Sequence, residues 1–254
     1  LQRASEAKFI IVEENTSPSG NGLVRIHVGQ DAYAQSLKLA LERLDGDGFV
    51  IRGVDSGNVV IAGPTSWGTE FGVYEFLERY AGVRWLMPGP EGDDVPKQAA
   101  ITIPREEIRQ EPAFFSREMS GFRDDRAVWA ERLRLHGRLR FHHNMFNLFP
   151  PEVYTKTRPD FFPIKNGKRY LPSRALGGKA GTASWQPCFS APGLAEEAVK
   201  NICRYFQENP ESTSYSLGVN DSGGHCECPA CRAQDPPQPN FLGKRDRSNA
   251  YYAW

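Results

Sequence analysis

The chain has 254 residues, of which 39% are hydrophobic and 24% charged, with 31 Lys and Arg balanced by 31 Asp and Glu. This is the profile of a folded globular protein and excludes a disordered or low-complexity polymer. A net charge of zero gives no general attraction to a polyanion, which argues against nucleic acid as a partner and favours neutral ligands such as sugars.

The first residues, "LQRASEAKFIIVEEN", show no charged, apolar and cleavage regions of a leader, and they begin with Leu rather than Met. A trimmed N-terminus is expected. No apolar run approaches the ~18 residues of a spanning helix. Residues 8–12 and 23–28 read as short strands, followed by a helical stretch with Leu37, Ala40, Leu41 and Leu44 at helical spacing. "GFVIRGVDSGNVVIAG" reads as a hairpin by its central turn residues. A second helix carries Val73, Phe76, Leu77 and Tyr80 on one face, stops at Gly82 and returns as a strand over 83–87. Residues 1–106 are therefore expected to form a small α+β domain.

Beyond 101–103, strands are expected at 114–119, 138–146, 183–190 and 214–219, with helices around 127–135 and over 193–207. On the second helix, Ala195, Ala198, Val199, Ile202 and Phe206 share a face. Strand and helix alternate, which predicts parallel β/α units over 107–254. Four such units are half of a (β/α)8 barrel, whose full length is ~250 residues. "RDRSNAYYAW" stops at what reads as a helix opening, so a fragment of a longer protein is expected.

Barrel chemistry sits at the C-terminal ends of the strands. Those ends carry Arg117 and Glu118, then His142, His143 and Asn144, then Trp185, Gln186 and Cys188, and finally Asn220 and Asp221. The carboxylates among them, Glu118 and Asp221, are the candidates for acid, base or orienting work in catalysis. Arg117, His142, His143, Asn144, Trp185 and Asn220 are candidates for holding substrate. The bland alternatives are an ion pair for Glu118 and a turn cap for Asp221. In the long aromatic segment, Phe149 and Tyr154 either line sugar subsites or pack the loop. "IKNGKRY" reads as a small hairpin turning at Asn166 and Gly167.

"NDSGGHCECPAC" places three cysteines within six residues. Zinc takes four ligands, and His225, adjoining Cys226, reaches the same ion awkwardly. Cys188, at the end of the neighbouring expected strand, is the better fourth partner for Cys226, Cys228 and Cys231. Cys203 is then left as a core residue. A structural metal, disulfides and packed free thiols all fit this spacing; a catalytic metal fits least, because four protein ligands leave no open position.

"GTEFGVYEFLERYAGVRWLMPGPEGDDVP" resembles the end of the small N-terminal domain that precedes the barrels of β-hexosaminidases and α-glucuronidases. "HHNMFNLFPPEVYTKTRPDFFPIKNGKR", "WQPCFS", "SLGVNDSGGHCECPAC" and "SNAYYAW" together resemble the bacterial domain of unknown function 4838, a group that includes glycoside hydrolase family 163. The resemblance implies a retaining glycosidase, an endo-β-N-acetylglucosaminidase acting on N-acetylhexosamine-containing glycans, with the substrate's own acetamido oxygen as nucleophile. It also carries the expectation of a secreted, periplasmic or cell-surface protein. In the related hexosaminidases an Asp-Glu pair follows the fourth strand, whereas this chain has Asn220 and Asp221. The rival expectation is a carbohydrate-binding protein on a degenerate barrel, and a third is an interaction module built on the cysteine loop.

Overall fold

The computed structural model describes residues 1–13, 22–172 and 184–254, arranged as two compact units, Leu1–Arg138 and Leu139–Trp254. Ala183, the first residue of the expected 183–190 strand, lies outside the described residues.

The first unit opens with α1 (Gln2–Ser5), β1 (Arg25–Val28), α2 (Ala32–Ser36), β2 (Phe49–Gly53), β3 (Asn58–Ala62) and α3 (Ser66–Tyr80). A two-residue pair, β4 (Arg84–Trp85) with β5 (Asp93–Asp94), follows, and then β6 (Glu107–Gln110) and α4 (Asp125–Arg132). Four strands form one sheet in the order β1-β3-β2-β6, with β2 and β3 paired antiparallel as the expected hairpin. The unit therefore carries its sheet through Gln110 and runs on to Arg138.

Strand alternation divides the core. Phe49, Ile51, Val59 and Ile61 pack with Phe71 and Phe76 of α3, while Val50, Val60 and Ala62 pack with Ala34 and Leu39 on the other face. Thr65 caps α3 by accepting from the Gly68 amide at 3.2 Å. At its far end Val83 N reaches back to Leu77 O, and Gly82 takes φ +67°, a conformation that glycine adopts without strain. Residues 37–44, expected as a helix, form only a single turn at Leu41–Arg43. Residues 8–12 and 101–103 lie outside strands.

The second unit contains α5 (Met145–Leu148), α6 (Pro151–Thr157), β7 (Ile164–Lys165), β8 (Lys168–Arg169), α7 (Leu194–Glu208), α8 (Pro229–Arg232) and α9 (Ser248–Tyr252). β7 and β8 make the expected hairpin, with Asn166 and Gly167 both at positive φ. The architecture is mixed α/β with open sheets, and the described residues form no closed barrel.

Among the described residues, the four segments expected as parallel strands form no strands. They carry two single-residue bridges, Arg117 with His136 and, in parallel sense, His143 with Gly218. Polar side chains take the bonds that a ladder would use: Ser216 Oγ accepts from His142 N at 3.1 Å, and Asn144 Nδ2 donates to Ser216 O at 2.9 Å. Side-chain bonding of this kind competes with regular pairing.

Helix α7 also departs from expectation in its rotation. Leu194 and Ala198 are buried, but Val199 is 60% exposed and Cys203 is exposed rather than in the core. Asn201, which donates to Leu148 O and to the Tyr154 hydroxyl, turns a more polar face of the helix inward.

Candidate functional site

The sulfurs of Cys188, Cys226, Cys228 and Cys231 all lie within 4.8 Å of one another. Cys188 Sγ is 3.7 Å from Cys228 Sγ and 3.8 Å from Cys231 Sγ. A tetrahedral ion with metal–sulfur bonds of about 2.3 Å has sulfur–sulfur edges of about 3.8 Å, so these separations match a coordination shell. They are far beyond the ~2.0 Å of a disulfide, and all five cysteines are free thiols.

The local chain explains why the sulfurs converge. Cys228 caps α8, its Sγ accepting from Cys231 N at 3.4 Å, and Cys226 Sγ accepts from Cys228 N at 3.5 Å and from Ile164 N of β7 at 3.3 Å. Ser190 Oγ lies 3.3 Å from Cys231 Sγ. Amide donors aimed at sulfur favour thiolate over thiol, the form that binds metal. Hydrogen bonds from the thiols of Cys188 and Cys226 pull Cys231 far below the usual thiol range, and donation toward Cys226 and Cys231 pushes Cys188 up. Cys226 accepts from Cys188 but donates to Cys231 and is buried, which leaves it raised to about 11.

The four cysteines can hold a metal ion, as their spacing predicts, and His225 is outside the group. Its imidazole pKa is lowered, chiefly by burial and then by Arg247.

A second feature of this unit is a cavity of about 360 Å³ between the 140–154 segment, α7 and residues 215–216. His142 and Asn144 line it, His142 Nε2 lying 3.1 Å from Asn144 Oδ1. Tyr154 and Tyr205 contribute aromatic wall, and Arg140, Arg204 and Glu208 contribute charge.

A family model described as "Domain of unknown function (DUF4838)" matches residues 87–244, more than half of the chain and all four clustered cysteines. This chain belongs to the DUF4838 family. No curated protein matches it, and no solved structure does.

Within the DUF4838 match the remaining candidates occupy distinct settings. Asn220, 2% exposed, donates from Nδ2 to Trp185 O at 3.0 Å and accepts at Oδ1 from Phe146 N at 3.1 Å. Gln186 clamps its backbone from both sides, accepting from Asn220 N at 3.0 Å and donating to Asn220 O at 2.6 Å. Trp185 is completely buried against Phe162, with ring centroids 5.0 Å apart, and Phe149 is completely buried as well. Neither ring presents a face to a ligand in this conformation. His143 is exposed, and its Nδ1 contacts Val219 O at 2.6 Å. Asp221 is exposed on the loop between the Asn220 clamp and the cysteines.

Arg117 and Glu118 belong to the first unit. Arg117 pairs with the buried carboxylate of Asp47 at 2.7 Å and donates to Arg134 O and Phe114 O, whereas Glu118 is exposed. His136 and Arg138 reach Asp47 too, at 2.9 and 3.8 Å. The structure thus brings His142 and Asn144 together at one cavity and the four cysteines together at one centre. Arg204 escaped the sequence reading, although its polar spacing with Asn201 and Glu208 along α7 marks the helix face that lines the cavity.

Proposed function

We propose that this chain is part of a glycoside hydrolase of the family 163 type, acting on N-acetylhexosamine-containing glycans, with a structural zinc held by Cys188, Cys226, Cys228 and Cys231. In this reading residues 107–254 supply the first half of a (β/α)8 barrel, and residues 1–106 correspond to the small domain that precedes the barrels of β-hexosaminidases and α-glucuronidases. The observation that carries it is the cavity lined by His142 and Asn144 beside the parallel bridge of His143 with Gly218, a recess of small-molecule size walled by imidazole, amide and tyrosine side chains.

Asp221 serves as the acid or as the group that orients the acetamide. The metal has a fixing role, because four protein ligands leave no open position for water. It pins the loop that begins at Asp221. The partner is a glycan, and a secreted, periplasmic or cell-surface location goes with such a substrate.

Hydrolysis of N-glycans and aryl N-acetylhexosaminides by the full-length protein tests this, comparing wild type with Asp221→Ala. Turnover that falls at least ~100-fold in the variant while glycan binding persists supports the assignment of Asp221. Glycan binding with no turnover in the wild type supports the second reading, a non-catalytic carbohydrate-binding protein. One observation favours that alternative: Asn220 stands where the related hexosaminidases carry an acid, and its side chain is committed to the backbone of Trp185 and Phe146.

A further inference from the structure

The wall of the 360 Å³ cavity is chemically divided. One part is closed scaffold. The Tyr154 hydroxyl donates to Glu197 at 2.9 Å and accepts from Asn201 at 2.7 Å, and the Tyr205 hydroxyl pairs with Ser212 at 2.9 Å. The Asn144 amide donates to Ser216 O, and its oxygen accepts from Asn147 at 2.8 Å. These groups are fixed by hydrogen bonds within the wall.

The other part is uncommitted. Arg140 and Arg204 line the cavity, and among the described residues neither guanidinium has a hydrogen bond or ion pair. Elsewhere the exposed Arg79 pairs with Glu75 and the half-buried Arg158 with Asp160. Among the described residues the lining itself holds two guanidinium groups and one carboxylate, Glu208, one helical turn beyond Arg204; Glu197, behind Tyr154, also attracts Arg204. A guanidinium presents a planar fork of donors that fits carboxylate and phosphate oxygens in pairs. The volume lies toward the low end of small-molecule sites, suited to one or two sugar rings rather than a long chain.

We propose that this cavity is a subsite for an acidic sugar, a monosaccharide unit bearing a carboxylate or a phosphate. Arg140 and Arg204 grip the anion, while His142 and the side-chain oxygen of Asn147 meet ring hydroxyls. This rests on the glycan reading above and adds the class of sugar to it.

The test is a titration of the full-length protein, followed by amide chemical shifts or calorimetry, with four probes: methyl β-D-glucuronide, methyl β-D-glucoside, glucose 6-phosphate and inorganic phosphate. The glucuronide or the sugar phosphate is expected to bind at least ~10-fold more tightly than the glucoside, with the margin shrinking in high salt. The stronger of the two assigns the anion as carboxylate or phosphate. Arg140→Gln combined with Arg204→Gln is expected to abolish the margin, and Arg43→Gln, at an exposed position of the first unit, to preserve it. Both arginines are exposed, so a folded variant is expected, and circular dichroism verifies it.

Equal binding of glucuronide and glucoside, or a margin that survives the double substitution, overturns the inference while leaving the glycan reading intact. Inorganic phosphate binding as tightly as either sugar overturns the sugar half of it. Acidic sugars that bind with the expected margin to a protein that hydrolyses no glycan keep the subsite and remove the hydrolase.

Discussion

The side-chain amide of Asn220 donates to the carbonyl of Trp185 across 3.0 Å, joining two segments 35 residues apart in the interior of the second unit. With Phe146 N on its oxygen and Gln186 on both its backbone groups, Asn220 substitutes for a strand ladder. Asn220→Ala leaves the Phe146 amide and the Trp185 carbonyl buried without these partners, at about 2–4 kcal/mol for the two. Asn220→Asp keeps the acceptor but cannot donate, and its destabilisation is expected to be larger at neutral pH than at low pH, where a protonated carboxyl donates again. Urea unfolding at two pH values checks both. Wild-type stability in Asn220→Ala would show that the clamp is dispensable and leave Asn220 open to a purely functional role.

The cysteine centre makes a stoichiometric prediction. Protein purified without chelator is expected to carry about one zinc per chain by elemental analysis, and cobalt substitution to give thiolate-to-metal charge-transfer absorption. Cys226→Ser or Cys188→Ser is expected to abolish the metal and lower the melting temperature, whereas Cys203→Ser, at an exposed position of α7, retains both. Ligand thiols must lose their protons to bind, so affinity weakens as pH falls. Metal-free protein with unchanged stability would sink the zinc centre.

What was legible in the sequence follows the kind of force involved. The β2–β3 hairpin, α3 with its stop at Gly82 and the turn at Asn166 and Gly167 are local patterns, fixed by alternation, capping and positive φ, and they stand as read. The cysteine set was legible because three cysteines are close in sequence and a tetrahedral site that they could form takes a fourth. The expected strands 138–146 and 214–219 were not, because side chains of Asn144 and Ser216 take bonds that periodicity assigns to the backbone. The rotation of α7 was hidden for a related reason. Asn201 finds two partners in the Leu148–Tyr154 region, and no single-sequence pattern reveals them.

Arg117 distinguishes a structural from a substrate-binding role by stability. Its guanidinium reaches Asp47, whose side chain is 3% exposed, and removing it leaves that carboxylate to His136 and Arg138. Arg117→Ala is expected to destabilise the protein by about 3 kcal/mol, within the range for breaking a buried pair, and Arg117→Lys by less because the charge is kept. Thermal and urea unfolding measure this. An Arg117→Ala protein of wild-type stability that has lost glycan affinity would return Arg117 to the binding site.

Acid should unfold the protein through specific carboxylates. Hydrogen bonding from Arg158 holds Asp160 below the usual carboxylate range, and Lys200 followed by Tyr154 does the same for Glu197. For Asp45, burial pulls upward, but the Asp47 amide and Arg138 outweigh it and the net shift is downward. A carboxyl with a lowered folded-state pKa binds fewer protons folded than unfolded, so its contribution is present above the unfolded value and lost as pH falls through the folded one. Unfolding free energy is therefore expected to begin falling near pH ~4 and to continue falling below it. Release of a metal from the proposed cysteine centre would add its own acid sensitivity, so the informative quantity is the difference between wild type and variants. Asp160→Asn and Glu197→Gln are expected to be less stable at pH 7 and to approach wild type as pH falls below the usual carboxylate range. A stability gap that stays constant over that range would mean these carboxylates contribute through packing and not through charge.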